Sequence, residues 1–154
     1  MGSSEAGLRE RLIGAWKLVS WQDLPEDGSE PFEPLGSDPH GIIMYTPDGY
    51  MSAQISLPDR PQFASGEWFS ATDAEFRAEA TTYMAYTGPY RVDEEAGTLH
   101  HSMFISLFPN WVGQTQQRLV EIDGDLLRLG SVDSLISRGK VVQSKLVWRR
   151  AEPN

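Results

Sequence analysis

The residues with the clearest chemical potential are Arg118, Gln116, His101, Tyr86 and Tyr90, and strand parity decides whether they can act together. In residues 115–122, Val120 and Ile122 belong inside while Gln117 and Glu121 belong in water. The two-residue period of a strand then turns Gln116 and Arg118 inward. Over residues 98–108 the more apolar face is Leu99, His101, Met103, Ile105 and Leu107, so His101 turns inward as well. In residues 86–92 the same parity gives an inward face of Tyr86, Tyr90 and Val92. An apolar wall interrupted by an arginine, an amide, an imidazole and tyrosine hydroxyls has the make-up of a small-molecule site.

An inward arginine keeps its charge and requires an anionic or strongly accepting partner. Two readings of Arg118 stand: an anchor for a ligand carboxylate, enolate or phenolate, or the centre of an internal network with Gln116, Tyr90 and backbone carbonyls. No inward acid is evident to pair with it. His101 also has two readings, a general base or proton shuttle that titrates near neutral pH, and a satisfied core histidine. On the catalytic reading, His101, Arg118 and Tyr90 form the working set. His100 is adjacent to His101 and faces the other way, and only His40 remains, so no metal site is expected. Nucleophile elbow, phosphate-binding glycine loop and dinucleotide fingerprint are all missing, which argues against serine hydrolase chemistry and nucleotide cofactors. No cofactor is expected.

The elements that must position these groups are short and alternating. Residues 8–13 read as a helical turn that plugs a floor. Residues 14–22 alternate as a strand, with Trp16, Leu18 and Ser20 on one face and Lys17, Val19 and Trp21 on the other. Four prolines make residues 25–39 a long loop, and Pro47-Asp48-Gly49 marks a hairpin between residues 41–46 and 50–57. Residues 58–70 break the pattern and carry Phe63, Trp68 and Phe69, which would close a cavity mouth or form a contact between two copies of the chain. Thr72 and Glu75 are spaced as a capping box, and Phe76, Ala80, Tyr83 and Met84 follow at helical spacing, so a helix is predicted over residues 73–86. Further strands follow at 86–92, 98–108, 115–122, 125–131 and 140–150. Asn110-Trp111 falls between two of them, as a ligand-gripping rim or as an aromatic plug. The fold class is all-β: about eight antiparallel strands in an up-and-down barrel with one inserted helix, a size that holds one small ligand.

Composition narrows the partners. The 154 residues suit one domain over 1–154, with 1–7 as a flexible lead. There is no cysteine, which excludes thiolate catalysis and disulfides and fits a reducing compartment. A net charge of −9 repels phosphate backbones, so nucleic acid is not an expected partner. No apolar run is long enough to span a membrane, and a soluble, cytoplasmic protein is expected.

The chain resembles the bacterial and fungal lipocalin-like domain proteins. The resemblance rests on residues 12–20 around Gly14-Ala15-Trp16 and on residues 41–52 around Tyr45-Thr46-Pro47-Asp48-Gly49-Tyr50. It continues through Asp59-Arg60-Pro61 with Phe63, Tyr86-Thr87-Gly88-Pro89-Tyr90, His100-His101, and Pro109-Asn110-Trp111-Val112-Gly113 with Gln116 and Arg118. It implies an eight-stranded barrel with an internal cavity, sealed at one end by Trp16 under Arg149 or Arg150. Two functions follow as expectations. One is binding of a small, mostly apolar molecule by Arg118, Gln116, Tyr86, Tyr90, Met103, Ile105, Trp111, Phe63 and Trp68. The other is a cofactor-free isomerase, cyclase or lyase acting on a natural-product-like intermediate in the same cavity.

Overall fold

The computed structural model describes residues 6–154, so most of the lead expected over residues 1–7 lies outside the described residues. In chain order the elements are α1 (Leu8–Leu12), β1 (Gly14–Pro25), β2 (His40–Tyr45), β3 (Tyr50–Ser56), α2 (Asp73–Thr81) and β4 (Tyr83–Asp93). They continue with β5 (Thr98–Ser102), β6 (Ile105–Ser106), a 3-10 turn (Pro109–Trp111), β7 (Thr115–Asp123), β8 (Leu126–Ser131), β9 (Leu135–Ser137) and β10 (Lys140–Arg150). Eight antiparallel strands pair in the order β1, β2, β3, β4, β5, β7, β8, β10, and β10 returns to β1. That last pairing closes the barrel and removes its edges. β9 adds to one end of β10, and β6 lies against β4.

Alternating strand direction sorts the connections into two ends. At one end α1 is tied to three turns: Leu8 and Arg9 donate backbone N–H bonds to the Glu94 carboxylate, Arg9 donates to the Pro47 carbonyl, and Arg11 to the Ile122 carbonyl. This is the expected floor. Trp16 is fully buried just above it, donating from Nε1 to the Leu12 carbonyl at 2.9 Å. The Arg150 guanidinium lies 3.8 Å over the Trp16 ring and donates to the Ile13 carbonyl at 2.8 Å. Arg150, paired with Trp16 in register, thus forms the seal expected of Arg149 or Arg150.

Gly14 explains why a glycine precedes this tryptophan by two. Its φ is +121°, and an added Cβ would stand 2.9 Å from Arg150 Nη1. Gly14→Ala is expected to cost about 1–3 kcal/mol through backbone strain. Urea unfolding checks this, and an unchanged midpoint would refute it.

Three departures from strict alternation matter. First, the β1–β10 register shifts between Leu18 and Ser20, so one extra residue reverses the faces beyond it. Trp21, expected on the face opposite Trp16, packs on the core, and Asp23 beside it is 1% exposed.

Second, β4 pairs Tyr90 with His101 but Tyr86 with Ser106, so the strand after His101 carries one residue more than β4 supplies. The surplus falls where Ser102 and Met103 cross Gly88, and it turns Ile105 and Leu107 outward at 58% and 44% exposure. The inward placement expected of Ile105 and Leu107 is therefore corrected, while Leu99, His101 and Met103 do face in.

Third, α2 ends at Thr81 and not at residue 86. Its capping box forms, but none of its residues is buried. Tyr83 and Met84 instead pair with Ser56 and Ile55 of β3, because sheet hydrogen bonds outweigh the periodicity of a helix that has no core to face.

Candidate functional site

Inward residues of β4, β5 and β7 build the site. His101 is fully buried, Met103 is 2% exposed, Tyr86 8% and Gln116 9%, and Arg118 is half-buried. Adjacent register positions bring Tyr90, His101 and Gln116 into one row and Leu99 and Arg118 into the next. The Tyr45 hydroxyl meets His101 Nε2 at 2.8 Å, joining β2 to β5 across the interior. The other ring nitrogen of His101, Nδ1, is buried without a hydrogen-bond partner. Trp111, carried by the 3-10 turn, packs edge-on against Tyr86 with centroids 5.6 Å apart, and so stands over the site from the open end.

Arg118 donates to the Gln116 side-chain oxygen and, at 3.4 Å, to the Gln117 carbonyl. Both of these acceptors are neutral and lie on its own strand, and the Tyr86 hydroxyl of β4 is a further neutral hydrogen-bond partner of the same guanidinium. Among the described residues no carboxylate comes within ion-pair distance of it. Inward Trp21, Val120, Ile122 and Leu146 are likewise only partly buried.

The electrostatics favour holding a molecule over moving its protons. Burial, with the charge of Arg118 and neighbouring His100 adding to it, holds His101 down at about 3, so its imidazole is neutral near pH 7 and a weak base. Burial pushes the Tyr86 hydroxyl above its ordinary range, with the guanidinium beside it pulling the other way. Burial, reinforced by Tyr86, raises Tyr45 well above its ordinary value, against the opposing pull of Arg118. His101, Tyr86 and Tyr45 are thus uncharged near pH 7 beside the fixed charge of Arg118.

Several expected members lie elsewhere. The Tyr90 hydroxyl donates to the Thr46 carbonyl at 2.7 Å, and Arg9 sits 5.4 Å over its ring, so this tyrosine serves the floor. Ile105 is on the outer wall. Phe63 packs edge-on against Phe76 of α2, and Trp68 stacks on Phe69 while remaining 71% exposed. Phe63 and Trp68 line an open groove of about 800 Å³ between the 57–72 loop and α2, together with Arg60, Glu75 and Thr82. No inward residue of the Arg118 group lines that groove. The interior is the candidate site for its convergent polar groups in an apolar wall, and the groove is a separate concave surface. Arg60 donates to Thr82 Oγ1 and the Glu79 carbonyl, capping the end of α2.

One inward acid escaped the sequence reading. Asp23 faces the interior because of the bulge in β1, and its Oδ1 accepts from Ser144 Oγ at 2.6 Å and from Trp21 Nε1 at 3.1 Å. No sequence signal marks it, because the register shift between Leu18 and Ser20 is set by pairing with β10.

The family comparison agrees with this architecture. The lipocalin-like domain family matches residues 13–151. The 4'-hydroxy-3'-methoxypropiophenone carrier protein ppsC of Aspergillus oryzae is 39% identical over 106 residues, covering 65% of this chain and 96% of that protein. A crystal structure of a Bacteroides eggerthii protein aligns over 91% of this chain and 99% of its own, at 13% identity and a TM-score of 0.44. No helix among the described residues is long and apolar enough to cross a membrane.

Proposed function

The chain belongs to the lipocalin-like domain family, and from that premise we propose that its barrel binds a small, mostly apolar molecule whose acceptor group is held by Arg118. The observation that carries this is a half-buried inward guanidinium with no acidic partner. A partly buried charge without a counter-charge carries a desolvation cost, and a ligand carbonyl, enolate or carboxylate would offset it. The unpartnered Nδ1 of His101 supports the same reading. Gln116 fixes the guanidinium, Tyr86 and Met103 supply the wall, and Trp111 supplies the rim. The carrier relative is named for a phenolic ketone, which makes aryl ketones the first ligands to try. The catalytic alternative has no observation in its favour, since His101 is a weak base already engaged by Tyr45.

Titration of the protein with 4'-hydroxy-3'-methoxypropiophenone, followed by calorimetry, tests the proposal. Saturable one-to-one binding is expected, weakened about ten-fold or more by Arg118→Leu while the ligand-free melting temperature stays near that of the wild type. If Arg118 instead ties a structural network together, the ligand-free variant loses roughly 3–5 kcal/mol of stability. That result would remove the anchor role.

A further inference from the structure

Asp23 and Arg118 stand at the two ends of one row of the barrel wall. Asp23 of β1 is in register with Ser144 of β10. The pairing of Lys145 with Gly130 sets Ser144 beside Ser131 of β8, and the Ser144 N–H donates to Ser131 Oγ at 2.8 Å. Ser131 is in register with Arg118 of β7. The row therefore runs carboxylate, hydroxyl, hydroxyl, guanidinium over four consecutive strands. Three strand spacings separate its ends, about 14 Å along the wall, and inward side chains shorten the gap between the charged groups.

Asp23 is 1% exposed, and among the described residues no cation lies within ion-pair distance of it. Acids buried to this degree are normally paired with a cation. Both of its side-chain donors, Ser144 and Trp21, are neutral and converge on Oδ1. They hold the carboxylate in one orientation and leave Oδ2 for another donor. Arg118, in the same interior, holds the complementary unanswered charge.

We propose that Asp23 is a second anchor, accepting a hydrogen bond from a hydroxyl at one end of a ligand whose acceptor end lies on Arg118. This rests on the binding reading above and deepens it. The ligand class becomes a short, flat apolar body with a hydroxyl donor at one end and a carbonyl or anionic acceptor at the other. Two fixed points of opposite polarity also select for length and direction, because a reversed ligand would set its acceptor against a carboxylate.

The test measures dissociation constants of 4'-hydroxypropiophenone and propiophenone, which differ only in the hydroxyl, for the wild type, Asp23→Asn and Arg118→Leu. The wild type is expected to prefer the phenol by about ten-fold or more, the size of a hydrogen bond to a charged acceptor. Asp23→Asn retains an oxygen for Trp21 and Ser144 and is expected to shrink the preference to about three-fold or less, while propiophenone affinity changes little. Arg118→Leu is expected to weaken both ketones. Equal binding of the two ketones by the wild type overturns the second anchor, and so does a full preference retained in Asp23→Asn. Either result leaves the Arg118 anchor standing when both ketones still depend on it. If Asp23→Asn fails to fold, the wild-type preference and its response to Arg118→Leu decide the matter. A preference lost together with Arg118 would move the phenol to the guanidinium and overturn the proposal. Failure of the wild type to bind either ketone overturns the underlying binding reading along with it.

Discussion

Gly88→Ala is expected to abolish the stable fold or to cost about 4 kcal/mol or more, the range reserved for gross backbone conflict. A Cβ on Gly88 would lie 1.7 Å from the Ser102 carbonyl oxygen, 2.8 Å from its carbon and 3.1 Å from Met103 Cα. All three are backbone atoms, so no side-chain rotation relieves the overlap. Relief requires lifting Ser102 and Met103 off β4, which strains the neighbouring Tyr90–His101 pair and shifts Met103 out of the interior. Small domains have only roughly 5–15 kcal/mol of total stability. Gly130→Ala is the control, because its Cβ would meet nothing closer than 3.9 Å. Urea unfolding of both variants reads the difference, and a Gly88→Ala midpoint within error of Gly130→Ala would refute the close approach.

Acidification is expected to destabilise the protein through His101. Its folded value is about 3 against an ordinary 6.5, so between these limits the unfolded chain binds a proton that the folded chain refuses. Stability therefore rises with pH across that window and is lost as pH falls through it. The contribution is about 2 kcal/mol between pH 7 and pH 5 and about 4–5 kcal/mol over the whole window. His101→Gln can still meet the Tyr45 hydroxyl but does not titrate. Urea unfolding at pH 7 and pH 5 is expected to show the wild type losing about 2 kcal/mol more than His101→Gln. Parallel losses in the two proteins would mean that His101 becomes protonated without unfolding.

The floor of the barrel was legible because its devices are chemically unusual and carry the family resemblance. The resemblance implies the closure from a glycine two residues before a tryptophan on the first strand and arginines on the last, and Arg150 stacks on Trp16 accordingly. The capping box of α2 is local, and it forms as read. Parity placed Gln116, Arg118, His101, Met103 and Tyr86 inside because β7 and the first half of β5 run without interruption, and a strand's two-residue period is rigid there.

Parity failed wherever one residue was inserted. The shift between Leu18 and Ser20 brought Trp21 and Asp23 inward, and the surplus residue opposite Gly88 sent Ile105 and Leu107 out. Neither bulge has a clear sequence mark, because each depends on how one strand crosses its neighbour. The end of α2 belongs to the same class, since the hydrogen bonds that draw Tyr83 into β4 come from β3, distant in sequence. The role of Tyr90 was also beyond sequence: its inward position was correct, but whether its hydroxyl meets a ligand or the Thr46 carbonyl depends on the facing turn. Alternation, caps and turn residues thus determined which strands exist and how the barrel closes. Tertiary pairing alone decided which polar groups meet inside it, because one inserted residue reverses every side chain that follows.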